Sequence, residues 1–458
     1  MEPSRSTVVR RAVRSVLLAL LVGAGSAALT WYRLGAVTRA TVWAEDGGVF
    51  MRERIALGPV ASLLHPYAGY LHLLPRLIVD LAWALPVVDY ARVVTTASCL
   101  VVGVVSGAVF LLARDVVPSP PIRVVLAAIP AVLPLMPYEI GGNTANLHWF
   151  MLFTAPWLFA YRARTWWGAA AVAVLALFVV LTELQALFFL PLLLLAWFPL
   201  RDRSGRRAWT RALPVTAVAL VGLAAQVVAA VTDHRISKPG SPAFGDVLAG
   251  WVLQPLAGAW DPDVGAVLAT VVAHGWAVVL VPAVAVVVVV LVAVLVAPLR
   301  ARWLILALAV VSGGVWWAAL LANGGAAQPW SQPTAAMVAV PPQRYAAAAG
   351  MLLVAAVVVA AGVLVDARNW SVAVRRRTRP GGATRLVGAV AGWCLVAAVV
   401  TSAVLSVGPG VTRRSHGPVW AGQIPAAVAM CRAHPSAVAQ VKTAPWAAQV
   451  PCGEVLGH

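Results

Sequence analysis

Apolar runs long enough to cross a bilayer recur along this chain, among them 281–296 and 386–407. In lipid, every backbone N–H and C=O must be bonded within its own helix, so such runs are read as spanning helices of about 20 residues. Composition agrees. Of 458 residues, 61% are hydrophobic and 11% charged, too little charge to cover the surface of a soluble domain of this length. The expected fold is therefore an all-α polytopic membrane protein of about eleven spans, near 12–32, 91–113, 122–138, 148–161, 166–181, 184–199, 212–231, 275–298, 303–322, 345–365 and 386–407.

The net charge of +18 raises nucleic-acid binding, and its distribution argues against it. Basic residues gather in short gaps between apolar runs: Arg5, Arg10, Arg11 and Arg14; Arg201, Arg203, Arg206, Arg207 and Arg211; Arg375, Arg376, Arg377 and Arg379. This is the positive-inside pattern. With an odd span count the N-terminus lies inside and the C-terminus outside. The six inside segments then hold 21 of the 34 Lys and Arg and 4 of the 16 Asp and Glu, a net +17. The opposite face is near neutral. The basic start and first apolar run read as an uncleaved signal-anchor, which makes the host a cell inner (plasma) membrane.

Residues 67–86 test the parity. They are apolar but contain His72, Arg76 and Asp80 and end at Pro86. A crossing there would move every later basic cluster outside. They are therefore read as an interfacial or re-entrant helix. The long connections all fall outside: a first loop over 33–90, then 138–148, 232–274, 323–344 and a tail over 408–458. The expected organisation is a transmembrane domain over 1–407 followed by that small tail. Cys99 and Cys394 fall in apolar spans as inert thiols. Cys431 and Cys452 fall in the tail, where an outside location permits a disulfide.

Polar clusters at span ends are the candidate chemistry. Glu45 and Asp46 are adjacent, with Gly47 and Gly48 after them. Neighbouring carboxylates raise one another's pKa, which suits general-base work, and they could equally ligate a divalent cation or be a solvated turn. His65, Tyr67, Tyr70 and His72 crowd the interface before Arg76. Tyrosines there form an interfacial belt as a rule, whereas an arginine in an apolar stretch wants a carboxylate (Asp80) or a phosphate. Glu139, Asn143, Asn146, His148 and Trp149 form a polar turn suited to carbohydrate or to helix capping. Glu183 sits between two spans, as a functional acid or as one exposed by a tight turn. Arg344 and Tyr345 open a late span, where Arg344 clamps a lipid phosphate or snorkels. Trp251, Trp260, Trp330 and Trp420 lie in outside segments as sugar-stacking candidates. No zinc pattern, Walker motif or nucleophile elbow is present.

Taken together, the chain resembles integral-membrane glycosyltransferases of the GT-C superfamily, which use polyprenyl-phosphate sugars. The likeness rests on topology, on Glu45-Asp46 in a long first outside loop, on the juxtamembrane character of 67–86 and on Arg344-Tyr345 before a late span. The segments WAEDGGVF, PYAGYLHLLPR and GGNTANLHW and the paired-cysteine tail also resemble a group of actinobacterial membrane proteins. The resemblance implies transfer of a sugar from a polyprenyl-phosphate donor to a cell-envelope glycan or lipid acceptor. Asp46, or else Glu45, would be the base; Arg344, Arg76 and Tyr345 would meet the donor phosphate. His65, Tyr67, Tyr70, His72, Glu139, Asn143, Asn146, His148, Trp149 and Glu183 would hold sugar or acceptor. A divalent cation is compatible and not required. The rival readings are a transporter or flippase of lipid-linked sugars, and a non-catalytic envelope-assembly subunit.

Overall fold

A computed structural model describes residues 5–198, 209–233, 238–378 and 381–457. The basic residues Arg201, Arg203, Arg206, Arg207 and Arg379 lie outside the described residues. The described residues are mostly helical, and among them seven helices are long and apolar enough to cross a membrane. Shorter apolar helices at Pro120–Val132, Leu147–Ala160, Trp166–Val180 and Leu184–Trp197 cover four further expected spans.

Helix Arg344–Leu364 is central, with most of its surface buried. Its alanines and glycines let neighbours approach closely where bilayer lipid gives no hydrophobic drive for helices to associate. The first helix, Arg5–Arg33, packs along Tyr90–Leu112 in the same way. A Cβ at Gly103 would stand 2.6 Å from the carbonyl oxygen of Gly23, so the backbones touch only because both are glycine. At the end of the first helix, buried Arg33 donates from Nη1 to the carbonyls of Ala131 (2.7 Å) and Leu133 (2.9 Å). It thereby satisfies carbonyls at the C-terminus of Pro120–Val132 that no helical N–H can reach.

Within 67–86 only Leu73–Trp83 is helical, 11 residues or roughly 16 Å of rise, about half the hydrocarbon thickness. Two outcomes differ from the sequence reading. The connection 232–274 holds helices Phe244–Trp251 and Val264–His274 joined through a π-helical turn, Val252–Leu256. Their apolar runs are too short to register as spans. The tail is not wholly helical. Strands Val438–Lys442 and Ala447–Pro451 pair antiparallel between helices Ile424–Ala433 and Cys452–Gly457. Cys431 and Cys452 are disulfide-bonded across those helices, with Cα atoms 5.0 Å apart. Cys99 is buried, whereas Cys394 is exposed on the flank of its helix.

Candidate active site

The tail and the first loop form one unit. The Ala44 amide donates to the Ala444 carbonyl and the Ala444 amide to that of Val42, both at 3.0 Å. A Cβ on Gly47 would lie 2.7 Å from Thr443 Cγ2, and one on Gly48 3.0 Å from the Trp446 ring. The glycine pair therefore admits the tail hairpin rather than merely allowing a turn. Arg414, buried, donates from Nη1 to the carbonyls of Thr41 (3.1 Å) and Gly142 (3.0 Å) and from Nη2 to that of Gly141 (2.6 Å). Burial lowers its pKa to about 10, which leaves it cationic at neutral pH.

The two adjacent acids face opposite ways. Asp46 is fully buried at the start of the π-helical turn Asp46–Met51. Its Oδ1 accepts from the Thr144 hydroxyl (2.7 Å) and the Ala145 amide (2.9 Å), and its Oδ2 from the Thr144 amide (3.0 Å). Tyr90 donates to its carbonyl at 2.8 Å. Burial raises the Asp46 pKa, while these donors and Arg414 act against the rise. Asp46 lines neither of the two cavities that Glu45 lines, and its carboxylate instead fastens the first loop to the turn over 139–146. The expectation of Asp46 as the base therefore needs correcting, because both oxygens are already engaged away from any space for a substrate.

Glu45 lines two adjoining cavities, of about 510 and 620 Å³. Its Oε1 is 3.7 Å from Arg344 Nη1, and its buried Oε2 has no hydrogen-bond partner. Burial raises its pKa; Arg344 opposes the rise, and Asp46 and Glu139 add to it. Arg344 also lies 3.5 Å from Glu139 Oε1 and donates from Nη2 to the Tyr345 hydroxyl at 3.3 Å. Arg413, from the tail, reaches the same Glu139 oxygen at 3.2 Å. The two cavities share Glu45, Asn323, Arg344 and Tyr345, so an acid and a guanidinium stand where they meet.

The 510 Å³ cavity has an aromatic wall. Phe50, Tyr67, Tyr70, His72, His148 and Trp149 line it, with His65 also in the lining. The rings of Tyr70 and His72 lie 4.0 Å apart, as do those of His148 and Trp149. His148 Nδ1 is 2.5 Å from Glu183 Oε2, and Glu183 Oε1 accepts from the Gln185 amide at 2.6 Å. In the turn between two apolar helices, Glu183 is buried rather than exposed, which raises its pKa to about 8. His72 is buried too, and burial holds it well below the usual imidazole range. The 620 Å³ cavity is lined by Trp43, Glu139, Gln328, Gln343, Arg413 and Trp446, so the tail supplies one of its walls.

Several expected residues do not reach this space. Arg76 donates to Glu53 Oε2 at 2.6 Å, lies over the Phe50 ring and lines neither of these cavities, so its carboxylate partner is Glu53 and not Asp80. Asp80 pairs with Arg54 instead. Asn143 is fully buried and structural: its Oδ1 accepts from the Asn146 amide (3.0 Å), and its Nδ2 donates to the Glu139 carbonyl (2.7 Å). Asn146 does line the cavity. Trp330 and Trp420 are fully buried core residues, and neither they nor Trp251 and Trp260 line either cavity. A divalent cation does not fit the acidic pair, because Asp46 faces three N–H and O–H donors and Glu45 faces a guanidinium. Among the described residues there is no group of three or more His, Cys, Asp or Glu able to hold a metal. Arg413, Arg414 and Trp446 were missed in the sequence. Their one signal was an arginine doublet in an otherwise near-neutral outside segment.

Comparison with known proteins finds no matching family model, no matching curated protein and no matching solved structure.

Proposed function

We propose that this chain is an integral-membrane glycosyltransferase that moves a sugar from a polyprenyl-phosphate donor to a cell-envelope acceptor. The observation that carries the reading is the Glu45–Arg344 pair at the junction of two cavities. Two substrates meeting at one acid–base group need that arrangement. The aromatic cavity, flanked by apolar helices, suits the donor's sugar and phosphate; the cavity walled by the tail suits an acceptor. Glu45 takes the proton of the acceptor hydroxyl as its oxygen bonds to the sugar's anomeric carbon. The bond from that carbon to the phosphate oxygen breaks, and Arg344 meets the charge left on the phosphate.

In this reading eleven helices cross the plasma membrane, with the N-terminus inside and the tail outside. The disulfide supports the outside location, since such bonds persist in oxidising compartments. The transport reading has no comparable support. Of the residues that would mark its polar route, Gln226 is engaged by the backbone of Leu71 and Val180, Asp80 by Arg54 and Glu183 by His148.

The test is transfer by the purified protein in lipid nanodiscs across a panel of polyprenyl-phosphate sugars, with Glu45→Gln alongside. Loss of at least ~100-fold in kcat with the fold intact is the expected result for removing a general base. Full activity in Glu45→Gln would remove the mechanism. A folded wild-type protein that turns over no donor would favour the transport or assembly-subunit reading.

A further inference from the structure

The mechanism above leaves one constellation in the aromatic cavity without a task. His148 and Glu183 come from different elements, the first turn of Leu147–Ala160 and the turn before Leu184–Leu192. Both side chains are buried, both line the cavity, and they share a 2.5 Å contact through Nδ1 and Oε2. A carboxylate on Nδ1 fixes the ring's orientation and tautomer and stabilises its protonated form. Proton exchange with a ligand then runs through the ring's other nitrogen, Nε2. The remaining oxygen of Glu183 is held by the Gln185 amide, so the carboxylate is anchored at both ends. Such an arrangement is more than packing requires, since an apolar pair would fill the same volume without desolvating an acid.

We propose that His148, held by Glu183, faces the phosphate end of the donor and delivers a proton to the oxygen that leaves the sugar. His148 is then a second catalytic residue and Glu183 a positioning residue. This rests on the transferase reading. The balance is closed. The acceptor's proton goes to Glu45, and the new C–O bond forms. The old C–O bond breaks with its electron pair passing to the phosphate oxygen, which takes the Nε2 proton of imidazolium His148. The prenyl phosphate departs as a singly protonated monoester. Neutral His148 keeps its Nδ1 proton on Glu183 and regains the other from water.

Among the described residues, the other charged and titratable groups of this space have places of their own. From the first loop, Glu45 faces Arg344 and Glu53 holds Arg76. His65 and Tyr67 line the cavity, and Tyr70 and His72 precede helix Leu73–Trp83. Asp233, after Leu213–Thr232, accepts from the Gly69 amide at 2.9 Å. Helix Arg344–Leu364 contributes Arg344 and Tyr345; Leu299–Ala322 contributes only alanines. Among the described residues, Glu183 is the carboxylate in hydrogen-bond contact with His148.

Two measurements on the full chain in nanodiscs test the assignment. The first is the pH profile of kcat. A general acid works protonated, so the wild-type rate falls on the alkaline side as the His148–Glu183 pair loses its proton. His148→Gln should lose this limb and about 100-fold in kcat, with KM within about threefold. Glu183→Gln should move the limb to lower pH, because the imidazolium loses its counter-charge. An unchanged alkaline limb and kcat in His148→Gln would overturn the proposal. The second is binding of a short-chain prenyl phosphate, read by tryptophan fluorescence through Trp149. His148→Gln and Glu183→Gln should each weaken it at least tenfold. If the wild type binds this ligand through His148 yet transfers no sugar, the transferase reading fails while the phosphate-facing role stands. If binding is indifferent to both substitutions, the phosphate-facing role fails whatever the turnover.

Discussion

Among single residues, the division of labour between Glu45 and Asp46 is the most consequential feature. One chain step separates an acid at a cavity junction from an acid locked by three donors. Their substitutions should therefore fail differently. Asp46→Asn places an amide among three donors and should lower thermal stability by about 1–3 kcal/mol, measured by unfolding in detergent. Glu45→Gln should leave that midpoint nearly unchanged and remove transfer. The pH dependence has a definite sign. A base works deprotonated, so activity should rise with pH through the Glu45 pKa, which burial places above the usual carboxylate range. Glu139 adds to that rise, so Glu139→Gln should move the acid limb of the kcat profile to lower pH. A limb that moves upward or stays fixed would show that Glu45 is not the group titrating.

Between elements, the joint of first loop and tail decides whether the outer cavity exists. Arg414 serves three carbonyls from two separate segments. Arg414→Ala should cost roughly 3 kcal/mol by leaving them buried without donors. The disulfide closes a separation of 21 residues, for which chain entropy gives about 3 kcal/mol. Cys431→Ser with Cys452→Ser should loosen the tail and raise proteolysis near Trp446, with the transmembrane helices unaffected. The same joint shows what could be read from the chain and what could not. Glu45, His148, Glu183 and Arg344 stood out because a polar residue at the end of an apolar run is conspicuous. Which of two adjacent acids turns inward was invisible, since Thr144 and Ala145, nearly a hundred residues on, decide it. Arg76 misled for the same reason: its partner Glu53 lies on another helix, not at the helical spacing that pointed to Asp80. The tail's part was unreadable because Arg413, Arg414 and Trp446 meet partners hundreds of residues away in the chain, and no local spacing encodes such pairs.

For the molecule as a whole, orientation is the expectation most open to direct measurement. With a membrane-impermeant maleimide on intact cells, Ser436→Cys in the tail should label at once. Ala373→Cys, beside the basic segment after Arg344–Leu364, should label only after permeabilisation. The reverse pattern would place the tail and its disulfide in the cytoplasm. One arrangement already described bears on how such a molecule is made. The backbone of Val42 and Ala44 is bonded to Ala444, so the first loop is completed by residues made only after helix Gly382–Leu405. Until the tail has folded back onto the first loop, the 620 Å³ cavity lacks the wall that Arg413 and Trp446 provide. On the transferase reading, a chain interrupted before Arg413 would hold the residues of the aromatic cavity without a completed place for a second substrate.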